Sequence, residues 1–213
     1  MSMQFLSMFN RLQFALIDTE TTGLSPKKDR IVEIAVVTLD SGFSEVNRWH
    51  TLVNPGRPIP NSSIHGISDA MVRDAPTFGQ VYAELLTQLR GKVLLAHNAT
   101  FDADMLVAES DRLDDEDVFF PFVDSMRLAR QVVPKGTSCS LESLARRTRV
   151  MNQGAHSALG DARTTGIVLK KLFGRQRHSI GRSVIKQAIP FTVSPAHLDK
   201  HAVMSSAISP RLS

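Results

Sequence analysis

Two acids close an otherwise apolar run. In Phe14-Ala-Leu-Ile-Asp-Thr-Glu-Thr-Thr-Gly23, Asp18 and Glu20 stand two positions apart. Residues i and i+2 of a strand share a face, so both carboxylates project side by side. Two like charges at the edge of a core are unfavourable unless a proton or a cation neutralises them. A divalent metal is the simplest neutraliser, and a metal held by carboxylates suggests hydrolytic chemistry.

Two further segments carry candidate ligands. In Ala96-His-Asn-Ala-Thr-Phe-Asp102 a strand ends at Ala96, and a helix starts a few residues later with Asn98 or Thr100 placed to cap it. Asp102 falls in the first turn of that helix, where an acid also complements the helix dipole. Asp104 lies about 200° further round, so only one of the two can face a shared site. Asp102, bracketed by Phe101 and Leu106, is the choice. In His156-Ser-Ala-Leu-Gly-Asp161, Gly160 and Asp161 open a last helix, and His156 sits on the loop before it.

Read together, Asp18, Glu20, Asp102 and Asp161 bring four negative charges, which two Mg²⁺ or Mn²⁺ ions would balance. Oxygen ligands suit such hard ions. Two ions about 3.5–4 Å apart clamp an in-line attack on a phosphodiester, one activating water and the other stabilising the departing 3′ oxygen. His156 is then free to act as general base.

The elements that must position these residues follow from periodicity and turn signals. Strands are predicted at Phe14–Asp18, Ile31–Asp40, a third ending near Val53, Val93–Ala96 and Phe122–Asp124. Helices are predicted at Ser68–Arg73, Thr77–Arg90, Phe101–Glu109, Ser125–Val132, from a Ser140 cap through Arg147, and at Asp161–Phe173. The acidic stretch Glu109–Asp117 reads as a solvated loop. A meander followed by alternating helices and strands predicts an α/β layered fold with a mixed sheet and helices on both faces.

At 213 residues, with 42% hydrophobic and 22% charged content, one main domain is expected. No apolar run reaches membrane-spanning length. The first residues lack a basic stretch and a small-residue cleavage site, so no leader is expected, and cytoplasmic residence is the default. Cys139 is the single cysteine, which excludes an internal disulfide and a multi-cysteine zinc site. The net charge of +4 is uneven. From Arg175 onward six basic residues face Asp199 alone, leaving residues 1–174 with 19 basic and 20 acidic residues. The body is therefore not a basic nucleic-acid binder, and bound metal must supply much of any attraction for phosphates. Residues 1–11 read as an N-terminal extension, 12–174 as the domain, and 175–213 as a basic, flexible tail outside the core. Within that tail Val184, Ile185, Ala188 and Ile189 could form one apolar face of a short docking helix.

The three acidic segments, in order, resemble the three motifs of the DEDD exonuclease superfamily, histidine subtype. That group includes the epsilon proofreading subunit of bacterial DNA polymerase III. The matching residues are Ile17-Asp-Thr-Glu-Thr-Thr-Gly23, His97-Asn-Ala-Thr-Phe-Asp102 with Leu106, and His156 with Asp161 five residues on. Ile64-His-Gly-Ile67 followed by Ala75-Pro-Thr-Phe78 is similar to the stretch by which members touch the nucleic-acid end. The resemblance covers about residues 12–174.

It implies a ribonuclease-H-like five-stranded mixed sheet flanked by helices. It implies that Asp18, Glu20 and Asp161 hold one metal, that Asp18 bridges to a second, and that Asp102 supports the second. His156 would be the base, and His65 with the backbone around Thr19–Thr21 would contact the terminal nucleotide. It further implies 3′→5′ removal of nucleoside 5′-monophosphates from single-stranded DNA ends, in proofreading or repair. A polymerase subunit is the implied partner, docked through the tail. Two alternatives stay open: the same chemistry on RNA ends or short oligoribonucleotides, and a non-catalytic nucleic-acid or polymerase-binding module on the same fold.

Overall fold

The structure, a computed structural model, describes residues 12–115, 118–152, 154–173 and 191. Five strands form one sheet in the order β3-β2-β1-β4-β5: β1 (Phe14–Thr21), β2 (Ile31–Leu39), β3 (Glu45–Leu52), β4 (Val93–Ala96) and β5 (Phe122–Asp124). β1, β2 and β3 form the expected antiparallel meander, and β4 and β5 add in parallel beyond β1. All nine residues of β2 are buried. Helices cover both of its faces, which is why it reads as a nearly unbroken apolar run.

The helices are α1 (Ser62–His65), α2 (Asp69–Val72), α3 (Phe78–Leu89), α4 (Thr100–Asp111), α5 (Ser125–Ala129), α6 (Leu141–Thr148) and α7 (Ala158–Phe173). Alternation along the strands divides the core into two layers. Ala15, Ile17, Ile34 and Val36 pack with the apolar stripe of α3 and with Met105 and Leu106 of α4. Phe14, Leu16, Ala35, Val37 and Leu39 pack with Ala162, Leu169 and Phe173 of α7. Each Ile, Val, Leu, Phe or Met among them contributes about 1.5–3 kcal/mol when fully buried. α7 approaches the sheet closely at Gly166, where an added Cβ would stand 3.2 Å from a Leu39 methyl. Thr77 and Gln80 form a capping box that starts α3. Ser140 caps α6 as expected, its hydroxyl accepting from the Ser143 N–H.

Four expectations are corrected. β1 runs past Asp18 to Thr21, because pairing with β2 continues to Thr21↔Ile31 through an irregularity at Glu20 and Thr21. α4 takes no side-chain cap: its N-cap is Ala99, while Asn98 adopts φ +64° in the preceding turn. α7 begins at Ala158, three residues before Asp161.

The fourth correction concerns the acidic stretch 109–117, whose described part, 109–115, is not a solvated loop. Its first three residues belong to α4, and both Glu109 and Asp115 are buried. Glu109 accepts from Arg30 Nε at 2.8 Å and from the Ile31 N–H at 3.0 Å, and Asp115 accepts from the Tyr82 hydroxyl at 2.7 Å. Those partners lie far away in the chain, so local composition does not reveal them.

The tail also departs from expectation at one point. Phe191 is buried, stacks on Phe120 with ring centroids 5.5 Å apart, and exchanges backbone hydrogen bonds with Gly91 and Lys92. An apolar ring beyond Gly174 thus completes the α3-side core. The apolar face expected around Val184–Ile189 lies outside the described residues.

Candidate active site

The C-terminal end of β1 brings the first two acids to the α7 face of the sheet. Asp18 and Glu20 continue the side of Phe14 and Leu16, while Thr19 continues the opposite side of Ala15 and Ile17. α7 lies over the first of these faces and presents Asp161 from its first turn. Ligand oxygens of Asp18, Glu20 and Asp161 all lie within 4.8 Å of one another, and all three residues are partly exposed. The loop before α7 must be tight for this to happen. A Cβ on Gly160 would fall 2.1 Å from the Gly154 carbonyl oxygen. Asp161 is held from two sides: Asn152 Nδ2 donates to Oδ1 at 2.8 Å, and the His156 backbone N–H donates to Oδ2 at 3.2 Å. Each oxygen keeps a second lone pair for a cation.

Asp102 reaches the site from the other face. It is buried in the first turn of α4 and accepts from Thr19 Oγ1 at 2.8 Å. Its ligand oxygens are not part of the three-acid cluster, yet its charge acts on Asp18 and Glu20. His156 is exposed, with φ +63°, at the rim beside Asp161.

The electrostatics are one-sided. Burial, then Asp102, Asp161, Glu20 and Glu33, push the Asp18 carboxyl well above its ordinary range. Glu20 is raised to about 7 by burial and then by Asp161, Glu33 and Asp102. Burial also raises Asp102 to about 7, against the lowering effect of the Thr19 hydroxyl. Among the described residues, the charges that act on Asp18 and Glu20 are other carboxylates. Such a site binds protons or divalent cations, and its all-oxygen donor set fits Mg²⁺ or Mn²⁺.

The residues expected to meet substrate lie close by. The Thr19 hydroxyl is committed to Asp102 and the Thr21 hydroxyl to the Gly23 carbonyl at 2.6 Å. Only their backbone groups are left for a ligand. The Thr21 carbonyl accepts from Asn61 Nδ2. His65, at the end of α1, is buried, and its Nδ1 accepts the Ile67 N–H at 3.1 Å. Burial lowers its pKa, and with Nδ1 accepting, the proton of the neutral tautomer belongs on Nε2. Nε2 is buried and makes no hydrogen bond among the described residues. His97 shapes the second motif through a 2.8 Å bond between Nδ1 and Ser125 Oγ.

Two side chains that serve this corner were not anticipated, Asn152 and Glu33. Asn152 carries no motif signal. Glu33 had one, a single acid inside the otherwise uncharged buried strand Ile31–Leu39.

Residues 15–169 match the profile of the exonuclease family (RNase_T). This chain belongs to that exonuclease family. Among family relatives, it is 36% identical over 164 residues to the DNA polymerase III PolC-type protein of Oceanobacillus iheyensis, across 76% of this chain and 11% of that one. It is 33% identical over 187 residues to the DNA polymerase III subunit epsilon of Rickettsia conorii, across 84% of this chain and 80% of the subunit. The chain spans from 11% to 24% of the length of the first curated relatives it matches. The family fold recurs in solved structures. The nuclease domain of 3′hExo, a DEDDh family member bound to rAMP, superposes with a TM-score of 0.68 at 18% identity, over 77% of this chain and 92% of that one. Escherichia coli exonuclease I in complex with a dT13 oligonucleotide gives 0.64 at 20% identity, over 81% of this chain and 43% of that one.

Proposed function

We propose that this exonuclease-family chain removes nucleoside 5′-monophosphates from the 3′ end of single-stranded DNA, using two Mg²⁺ or Mn²⁺ ions. The observation that carries this reading is the cluster of Asp18, Glu20 and Asp161 oxygens within 4.8 Å, in which, among the described residues, the charges acting on the first two acids are other carboxylates. Asp18, Glu20 and Asp161 would hold one ion, and Asp18 with Asp102 would hold or support a second. Bound there, the ions supply an activated water and charge stabilisation for the leaving 3′ oxygen.

The chain's own groups do the rest. His156 accepts the water's proton from its place beside Asp161, a step typically worth about 10²–10⁴-fold. The backbone around Thr19–Thr21 and the Nε2–H of His65 receive the terminal nucleotide. Thr19 keeps the Asp102 carboxylate turned to the site.

Relatives named DNA polymerase III epsilon and PolC-type support a proofreading or repair setting in the cytoplasm, with a polymerase as partner. Among the described residues no helix is long and apolar enough to cross a membrane.

Digestion of 3′- and 5′-labelled DNA and RNA oligonucleotides, with Mg²⁺, Mn²⁺ or chelator, tests the reading. The expected result is stepwise loss from the DNA 3′ end that stops in chelator. Preferred cleavage of RNA would move the substrate to oligoribonucleotides, and no cleavage of either would leave a non-catalytic module.

A further inference from the structure

We infer that Glu33 is a positioning residue that sets the third-motif helix against the acids of β1. It is a buried acid in β2, opposite Glu20 in the ladder and on the same sheet face as Asp18 and Glu20. Like charges placed directly opposite oppose pairing, so a carboxylate there needs a reason. Both of its oxygens are in use. Oε2 accepts the Ala158 backbone N–H at 2.8 Å, and Oε1 meets His50 Nε2 at 2.7 Å. With both oxygens engaged, Glu33 stands outside the group of ligand oxygens formed by Asp18, Glu20 and Asp161.

Its partners explain its place. Ala158 is the first residue of α7 and is fully buried. Its N–H is one of the four that an α-helix cannot satisfy internally. Glu33 supplies the missing acceptor and complements the positive end of the helix. Asp161 lies one turn further on, and His156 lies two residues before Ala158. A single side chain thus pins the start of the element that carries both groups to the strand beside Asp18 and Glu20. His50, on the edge strand β3, holds the other oxygen in place. Outer partners of this kind typically change metal affinity or activity by about 10–100-fold when removed.

The inference rests on the nuclease reading, and the test separates the two. Glu33→Ala removes both acceptors. Glu33→Asp keeps the charge but shortens the reach. Glu33→Gln keeps an acceptor for Ala158 and a donor for a neutral His50 while removing the charge. Mn²⁺ titration calorimetry and single-stranded DNA hydrolysis are measured for each variant, together with hydrogen exchange of the Ala158 amide in chelator. Glu33→Ala and Glu33→Asp should lower kcat and Mn²⁺ affinity about 10–100-fold, with KM for the oligonucleotide within about threefold of the parent. Ala158 exchange should rise in both, and Glu33→Gln should stay near the parent in every readout. Should Glu33→Ala fail to fold, Glu33→Asp carries the test. Parent-like kcat, Mn²⁺ affinity and Ala158 exchange in Glu33→Asp would overturn the inference. So would a Glu33→Gln variant as defective as Glu33→Asp, because charge rather than hydrogen bonding would then be the cause. An unmodified chain that neither binds Mn²⁺ nor cleaves any oligonucleotide would overturn the nuclease reading instead, while Ala158 exchange would still report on the hold exerted by Glu33.

Discussion

Two acidic regions of this molecule are buried to different purposes. At the end of α4, Glu109 is matched by Arg30, by the Ile31 N–H and by Arg112 at 3.6 Å, and Asp115 by the Tyr82 hydroxyl. At the end of β1, the charges that act on Asp18 and Glu20 are, among the described residues, other carboxylates. The first region has its charges answered by the fold. The second shows no such answering charge among the described residues, as the proposed cation site requires. The partners of an acid, not its burial, thus distinguish a structural carboxylate from a ligand. Glu33 stands between the two, hydrogen-bonded like the first region and placed beside the second.

Neutralising one acid in each region gives the sharpest contrast. Asp18→Asn or Asp161→Asn removes a proposed ligand and should lower the hydrolysis rate by about 10³-fold or more, since a catalytic metal supplies several kcal/mol of transition-state stabilisation. In chelator Asp18→Asn should melt higher than the parent, because like-charge repulsion is relieved. Single-turnover kinetics and thermal melts check both. Equal activity, or a lower melting temperature in chelator, would break the comparison.

His156→Ala should cost about 10²–10⁴-fold in kcat while leaving Mn²⁺ affinity unchanged, as read by calorimetry. A large loss of affinity would make His156 a ligand rather than a base.

Glu109→Gln should show the opposite profile to Asp18→Asn. Breaking a buried ion pair costs about 3–5 kcal/mol. Arg30 is about one-third exposed, so about 2–3 kcal/mol is expected here. Activity per folded molecule should stay at the parent level. Urea unfolding followed by an activity assay reads the two quantities separately.

The smallest effect expected is the pH response. Asp18, Glu20 and Asp102 have raised folded-state pKa values, the latter two at about 7. Their protonation favours the folded state below the ordinary carboxyl range near 4. That contribution is lost as pH rises through about 7. The metal-free protein should therefore melt lower at pH 8 than at pH 5, and the rise in melting temperature on adding Mn²⁺ should grow over the same interval. A metal-free melting temperature that climbs from pH 5 to pH 8 would contradict the raised values.

Much of this was legible in the chain alone. The strands of the meander and the stripe of α3 follow from spacing, because alternation and helical periodicity are local properties, whereas Asp102 and Asp161 stand out only when the three segments are read together and in the order of the family motifs. Glu33, Asn152 and Phe191 were not legible in their roles. Glu33 meets Ala158 across 125 positions, and Phe191 returns to Gly91 and Lys92 from beyond the last helix. Glu109 and Asp115 misled for the same reason: composition suggests solvent, while Arg30 and Tyr82 arrive from far upstream. Asn98 misled differently, since an asparagine before a helix can cap it or take a left-handed turn, and here it takes the turn.

The central claim is that acids from separate motifs form one cation site. Calorimetric titration of Mn²⁺ into the chelator-stripped protein at pH 7.5 tests it most directly, beside Asp18→Asn, Asp161→Asn and Glu109→Gln. Binding should be present in the parent and in Glu109→Gln, and lost or severely weakened in Asp18→Asn and Asp161→Asn. No binding by the parent, or unchanged binding in Asp18→Asn, would contradict the account.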